Sequence, residues 1–305
     1  PQGWEGRLNR RLPYWDQPEV HDVYRGWRRV LDSYEGDRIA VAEAWLPHPE
    51  RLAAYTRSDE LHQAFNFPYL MAGWDADRIR RVVDASLDAA AAAGAPPTWV
   101  LANHDVPRAA TRLGGLDRAL AALLVELALP GSVYLYQGEE LGLDEVLDLP
   151  DEVRRDPVFL RSGGTARGRD GCRVPMPWSD DGPSLGFSAT GRAWLPQPER
   201  WRGLAAATQT VDPASTLSLY RRALRLRREH PALGGDGWVT WLQSPPGTLA
   251  FERPPGFVCT ANATDAAVAF PPIGALLEAS GPVDSAADGG HVLPAHTTAW
   301  WSVGG

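Results

Sequence analysis

The chain has 305 residues, 44% hydrophobic and 22% charged, with a formal charge of −8, the composition of an ordinary globular protein of one large or two smaller domains. The negative balance argues against nucleic acid as a partner, because phosphate binding needs a basic face. No run of about 18 apolar residues is present to cross a membrane. All 30 basic residues are Arg, and the two cysteines, Cys172 and Cys259, lack metal-ligand spacing and are expected as free thiols.

In chain order, a polar Gly/Pro-rich stretch from Pro1 to Asp16 precedes a helix predicted over 18–35. Its expected apolar face is Val20, Val23, Tyr24, Trp27, Val30 and Leu31. A short apolar run from Ile39 to Ala42 stops at Glu43. A second run, His62 to Phe67, precedes a helix over 75–93 with Asp75 as N-cap and Gly94 as its stop. A third run, Thr98 to Ala102, ends at Asn103-His104-Asp105, and a helix over 116–129 follows. A fourth, Ser132 to Tyr136, ends at Gln137-Gly138-Glu139-Glu140. The stretch 141–210 is irregular and rich in Gly, Pro, Trp and Arg. A helix over 213–229 carries Leu217, Tyr220, Leu224 and Leu226 as its stripe. Beyond it, the runs 238–242, 249–252, 257–262 and 298–303 predict a small antiparallel β domain.

Strands alternating with helices mean parallel pairing through crossovers. In barrels of this kind the active site gathers at the carboxyl ends of the strands. Three of the four runs end in residues able to do chemistry: Glu43, Asn103 to Asp105, and Gln137 to Glu140. Four strands are half of an eight-stranded barrel.

At these positions the sequence resembles the α-amylase superfamily of glycoside hydrolases (family 13 type), and within it the bacterial α-glucosidase and oligo-1,6-glucosidase group. Val41-Ala42-Glu43-Ala44-Trp45 looks like the end of the fifth barrel strand, Leu101-Ala102-Asn103-His104-Asp105 like the end of the seventh, and Tyr136 to Gly142 like the end of the eighth. The segment Gly168 to Trp178, with Arg169-Asp170-Gly171-Cys172-Arg173, is similar to the long loop of the α-glucosidase group. Two departures stand out: Ala42 where many relatives have Gly, and Pro68 where many have Asp. The resemblance implies an α/β fold, the second half of a (β/α)₈ TIM barrel over 1–233 (strands five to eight and the loop 141–210), followed by a C-terminal antiparallel β-sandwich over 234–305.

It also implies roles. A retaining glycosidase needs two carboxyl groups about 5–5.5 Å apart, a nucleophile and a proton donor. Glu43 would be the general acid/base, its neighbours Val41, Ala42, Ala44 and Trp45 expected to desolvate it toward the protonated form. The plain alternative is a strand-end glutamate paired with an Arg. Asp105 would stabilise the transition state by accepting sugar hydroxyls; a helix N-cap is the alternative. His104 and Arg169 would bind the sugar, against a core histidine and a solvated arginine, and Phe67 would stack on a sugar face or fill the core. Among the 13 Trp, some are expected to line sugar subsites.

The expected activity is hydrolysis of terminal non-reducing α-linked glucose from a disaccharide or short oligosaccharide. A transglycosylase of the same family, such as a trehalose synthase or a sucrose-acting enzyme, is the runner-up. A catalytically inactive homologue serving as a transporter-ancillary subunit is weighed against both, and the presence of Glu43 and Asp105 speaks against it. The nucleophilic aspartate belongs to the first half-barrel, so an upstream segment carrying it is the expected partner. No cofactor is required; any Ca²⁺ would be held upstream. Pro1 reads as a cut end, and a cytoplasmic location is the expectation.

Overall fold

The computed structural model describes residues 13–46, 48–234, 237–287 and 289–304. Of the polar stretch Pro1 to Asp16, the first twelve residues lie outside these. The chain forms two compact units.

The first unit takes the described residues of Pro1–Val100 with Leu129–Tyr134 and Gly237–Val239. It opens on α1 (Val20–Asp32) and β1 (Val41–Ala42), then α2 (Pro49–Ala53), β2 (Gln63–Ala64), α3 (Phe67–Leu70), α4 (Ala76–Ala93), β3 (Thr98–Val100) and, after a segment belonging to the other unit, β4 (Ser132–Tyr134). All pairing is parallel. Val41 lies opposite Gln63, Phe65 bridges to Thr98, and Thr98 lies opposite Ser132. The strands therefore stand side by side in chain order, as crossovers demand. Among the described residues β1 and β4 each have a neighbour on one side only.

Capping sets the helix ends. The Asp75 carboxylate accepts from the Arg78 N–H at 2.7 Å to start α4, and Gly94 ends it at φ +74°, the left-handed geometry that glycine enters without penalty. The second apolar run does not stay extended to Phe67. Asn66 accepts from the Tyr69 N–H at 3.0 Å and donates to Ser86 at 2.8 Å, so Asn66 caps α3 and Pro68 sits in its first turn. The fully buried Glu60 carboxylate, just before β2, gathers His21 (2.6 Å) and Arg25 (3.2 Å) of α1 and its neighbour Arg57 (3.4 Å). Val20 and Tyr24 of α1 pack on the cluster of Ala42, Ala44, Leu46 and Tyr55. Val23, Trp27 and Val30 stay exposed, so the predicted apolar face is only partly covered among the described residues.

The second unit comprises Leu101–Ala128, the described residues of Leu135–Gly234, and those of Thr240–Gly305. It holds α5 (Ala109–Arg112), α6 (Leu116–Ala128), α7 (Pro157–Arg161), α8 (Ala206–Thr210) and α9 (Thr216–Glu229). Eight strands follow: β5 (Thr240–Trp241), β6 (Thr248–Arg253), β7 (Phe257–Asn262), β8 (Val268–Phe270), β9 (Ala275–Ala279), β10 (Asp284–Ser285), β11 (His291–Leu293) and β12 (Thr297–Ser302). They form antiparallel sheets ordered β5-β6-β7-β12-β9 and β10-β11-β8. Alternation along β12 divides the cores. Trp300 donates its ring N–H to the Leu124 carbonyl of α6 at 3.0 Å, whereas Trp301 is buried with Phe270 and Leu293 of the smaller sheet.

The irregular segment has a core of its own, built from Leu141, Leu143, Val146, Val174, Leu185 and Trp201. Buried Arg154 ties it together through the carbonyls of Leu147, Leu149 and Arg167. No described helix is long and apolar enough to cross a membrane.

Candidate functional site

In the first unit Glu43 follows directly on β1. Burial alternates through this stretch: Ala42, Ala44 and Leu46 are buried, while Glu43 is exposed and Trp45 half-buried. The expected desolvation of Glu43 by its chain neighbours is therefore not what this unit provides. Ala42 and Ala44 go into the core and leave Glu43 on the other face, the ordinary consequence of extended backbone.

Phe67 needs a correction of another kind. It is 1% exposed and stacks on Trp45, ring centroids 4.0 Å apart at 21°. A ring covered in this way has no face for a sugar, so Phe67 is core, the second of its two readings. Trp45 lies over it and is the more exposed ring of the pair.

The second unit brings Asp105, His104 and Arg169 together. Asn103 accepts from the N–H groups of Asp105 (2.8 Å) and Val106 (3.1 Å), closing a local turn. That turn takes over the backbone-capping role and frees the Asp105 carboxylate. One oxygen of Asp105 accepts from Arg169 Nη1 at 2.7 Å and Arg173 Nη2 at 3.0 Å, with His104 Nε2 at 3.3 Å. The other oxygen accepts no hydrogen bond among the described residues. The His104 side chain is 51% exposed, which removes the core-histidine alternative, and Arg169 is an ion-paired residue, not a solvated one.

Two residues that the sequence did not single out complete this cluster. Asp156, its side chain fully buried, accepts from Arg169 Nε at 2.7 Å and caps α7 through the Val158 N–H at 2.7 Å. Burial by itself would raise its pKa, but the Val158 N–H and the Arg169 guanidinium outweigh this and hold it below the usual value. Burial conversely pulls Arg169 down, and the two carboxylates more than restore it. Arg173 lies 3.6 Å from Asp156 and donates Nε to the His104 carbonyl at 2.9 Å. The only sequence signal for Asp156 was its place before Pro157 at a helix start.

The loop carrying the two arginines is fastened to the turn after β3. The buried thiol of Cys172 reaches the His104 carbonyl at 3.3 Å, and burial pushes its pKa up to about 12. Cys172 and Cys259 are both free. At Gly171 a Cβ would lie 2.3 Å from Glu145 and 2.5 Å from the Val146 carbonyl, so this close approach admits no side chain. The polar residues after β4 do other work. The Glu140 carboxylate accepts from the Gly138 N–H at 2.7 Å, and Glu139 is buried.

Parallel strands with polar residues at their ends in one unit and antiparallel sheets in the other place the chain in the α/β class. The catalytic-domain model of the α-amylase family matches residues 5–236, and the chain belongs to that family. It is 35% identical over 268 residues to a probable α-glucosidase of Rhizobium meliloti, covering 83% of this chain and 47% of that protein. It is 31% identical over 232 residues to maltase A1 of Drosophila melanogaster, covering 70% and 39%. The crystal structure of the α-glucosyl transfer enzyme XgtA superposes with a TM-score of 0.81 at 33% identity, covering 95% of this chain and 55% of that one. The chain thus spans about half the length of these proteins.

Proposed function

We propose that this chain is the carboxyl-terminal half of the catalytic barrel, with the following β domain, of a retaining α-glucosidase that releases terminal non-reducing α-linked glucose from short saccharides. In this reading an aspartate from an upstream half-barrel attacks the anomeric carbon while Glu43 protonates the departing glycosidic oxygen. Glu43, now a carboxylate, then takes a proton from the water that hydrolyses the glycosyl-enzyme ester. Asp105 accepts sugar hydroxyls and stabilises the positive charge that develops on the ring, with His104 and Arg169 binding the same glucose. No cofactor enters these steps.

The observation that carries the reading is the Asp105 carboxylate, one oxygen fixed by Arg169 and Arg173 and the other open to a hydroxyl. The names of the glucosidase and maltase relatives support the bond type. The exposed Val23, Trp27 and Val30 and the single-sided pairing of β1 and β4 support an upstream segment that covers them. A transglycosylase is the second reading, favoured by the likeness to an α-glucosyl transfer enzyme. It uses the same residues, with a sugar hydroxyl in place of the water.

The test is made in the complete protein. Glu43→Gln is expected to slow release of glucose from maltose by more than about 10²-fold, and to slow glycosylation by aryl α-glucosides with good leaving groups far less, since those need little protonation. Asp105→Asn should slow all substrates alike, because it acts on the ring. Equal loss for good and poor leaving groups in Glu43→Gln removes Glu43 from the acid role.

A further inference from the structure

The irregular segment leaves an open depression of about 540 Å³ in the second unit, between Gly182 and Arg202. Trp194 stands in its wall, 61% exposed. The ring is nevertheless fixed. Its Nε1 donates to the Arg173 carbonyl at 3.0 Å, and Phe187 meets it edge-on at 5.0 Å and 89°. Gln197 is pinned beside it by donating Nε2 to the carbonyls of Pro175 (3.1 Å) and Met176 (3.2 Å). Its carbonyl oxygen is left without a donor among the described residues. Arg202 is neutralised by Glu199 at 2.6 Å, whereas Arg192 forms no ion pair among the described residues.

The backbone that shapes the depression is strained. Ser184 and Leu185 are consecutive non-glycine residues in the left-handed region, at φ +46° and +45°. The Leu185 carbonyl accepts from the N–H groups of Trp178 (2.8 Å) and Ser179 (3.0 Å), and its side chain is buried, which keeps the turn in place. Strain retained by surrounding contacts is a mark of ligand clamps.

A fixed, exposed indole with an acceptor and a free guanidinium beside it matches one ligand chemistry. The C–H face of a pyranose covers the ring while its hydroxyls meet Gln197 and Arg192. A wholly apolar ligand would strip water from both polar groups without replacing their hydrogen bonds. We infer that this depression is an accessory saccharide site with Trp194 as its stacking platform and Gln197 and Arg192 as its hydrogen-bonding groups. That the sugar is a glucose unit rests on the proposed function; the site itself does not.

The experiment measures maltotriose binding to the full-length protein by calorimetry with and without a saturating iminosugar inhibitor, in a Glu43→Gln background so that the probe is not consumed; turnover is measured with Glu43 in place. Trp194→Ala is expected to weaken binding about tenfold, Arg192→Ala to weaken it less, and Trp194→Phe to restore most of it. Turnover of a one-sugar aryl α-glucoside should be unchanged in Arg192→Ala, which touches nothing in the Asp105 cluster. Binding that survives the inhibitor means the site takes a separate saccharide molecule. Binding lost with the inhibitor, together with a raised KM for maltotetraose alone in Trp194→Ala, means it takes the far end of a substrate. Absence of binding, or binding and turnover in Trp194→Ala equal to the parent at every chain length, overturns the inference. A protein with no glucosidase activity but Trp194-dependent maltotriose binding refutes the proposed function and leaves this site standing.

Discussion

Arg169 is held at two points of one guanidinium, Nε on Asp156 and Nη1 on Asp105. A planar fork fixed in this way is preorganised for a sugar hydroxyl, because little side-chain freedom remains to be lost on binding. Asp156 can be separated from its capping role by substitution. Asp156→Asn keeps an oxygen for the Val158 N–H but places an NH2 where Arg169 Nε now finds an acceptor, so it removes the charge and the hydrogen bond that orient Arg169 while sparing the cap. A hydrogen bond to a charged group contributes ~1.5–3 kcal/mol, so kcat/KM on an aryl α-glucoside should fall about ten- to a hundredfold, more through KM than kcat if Arg169 grips ground and transition states alike. Steady-state kinetics decide it, with thermal melting as the control. Unchanged KM and kcat would show that Arg169 keeps its place without Asp156. The grouping of His104, Asp105 and Arg169 was legible because each sits in a short motif at a strand end or in the group's loop. Asp156 was not, because it lies 13 residues from Arg169 in sequence and only folding buries it against the guanidinium.

At the scale of elements, β12 shows how one strand serves two cores. Trp300 is fully buried and bonded to α6 through the Leu124 carbonyl, whereas Trp301 faces the smaller sheet and donates to Thr260 at 2.8 Å. Trp300→Ala should cost ~3–5 kcal/mol, the usual loss for removing a large buried aromatic, read as a lowered denaturant midpoint. A loss below about 1 kcal/mol would mean that α6 and the sheet can close over the cavity. The helices α4, α6 and α9 were readable from their period and stops. The apolar stripe of α9 was only partly so, since Leu219, Tyr220 and Ala223 are its buried residues and Leu224 is 37% exposed. The strands β8 to β11 were invisible to pattern, being two to five residues long with few buried positions. Phe67 was read as the end of a strand because aromatic residues favour extended backbone; the Asn66 cap overrode that preference.

At the scale of the molecule, the second unit closes over a group of charges drawn from distant parts of the chain. Glu126 of α6 and Glu139 of the turn after β4 are both buried, and around them stand Arg112 of α5 and Tyr220 and Arg227 of α9. Burial is the main cause that raises Glu139, to about 8, with the nearby Glu140 charge adding and Arg112 opposing. Glu126 is raised too, first by burial and then by Glu139. Burial also lowers Arg112, to about 10, and Arg227. The sign follows from linkage. A carboxyl raised in the folded state keeps a proton that the unfolded chain releases above 4.5, so the unfolded state binds fewer protons and stability falls as pH rises. The fall runs from about 4.5 to about 8 and levels off beyond, where both states have lost the proton. Thermal melting from pH 5 to 8.5 should therefore show a declining midpoint, and Glu139→Gln, which keeps the shape and cannot ionise, should flatten that decline. Retention of the full slope in Glu139→Gln would assign the pH dependence to other groups. A midpoint rising with pH in the parent protein would contradict the protonated, buried state itself.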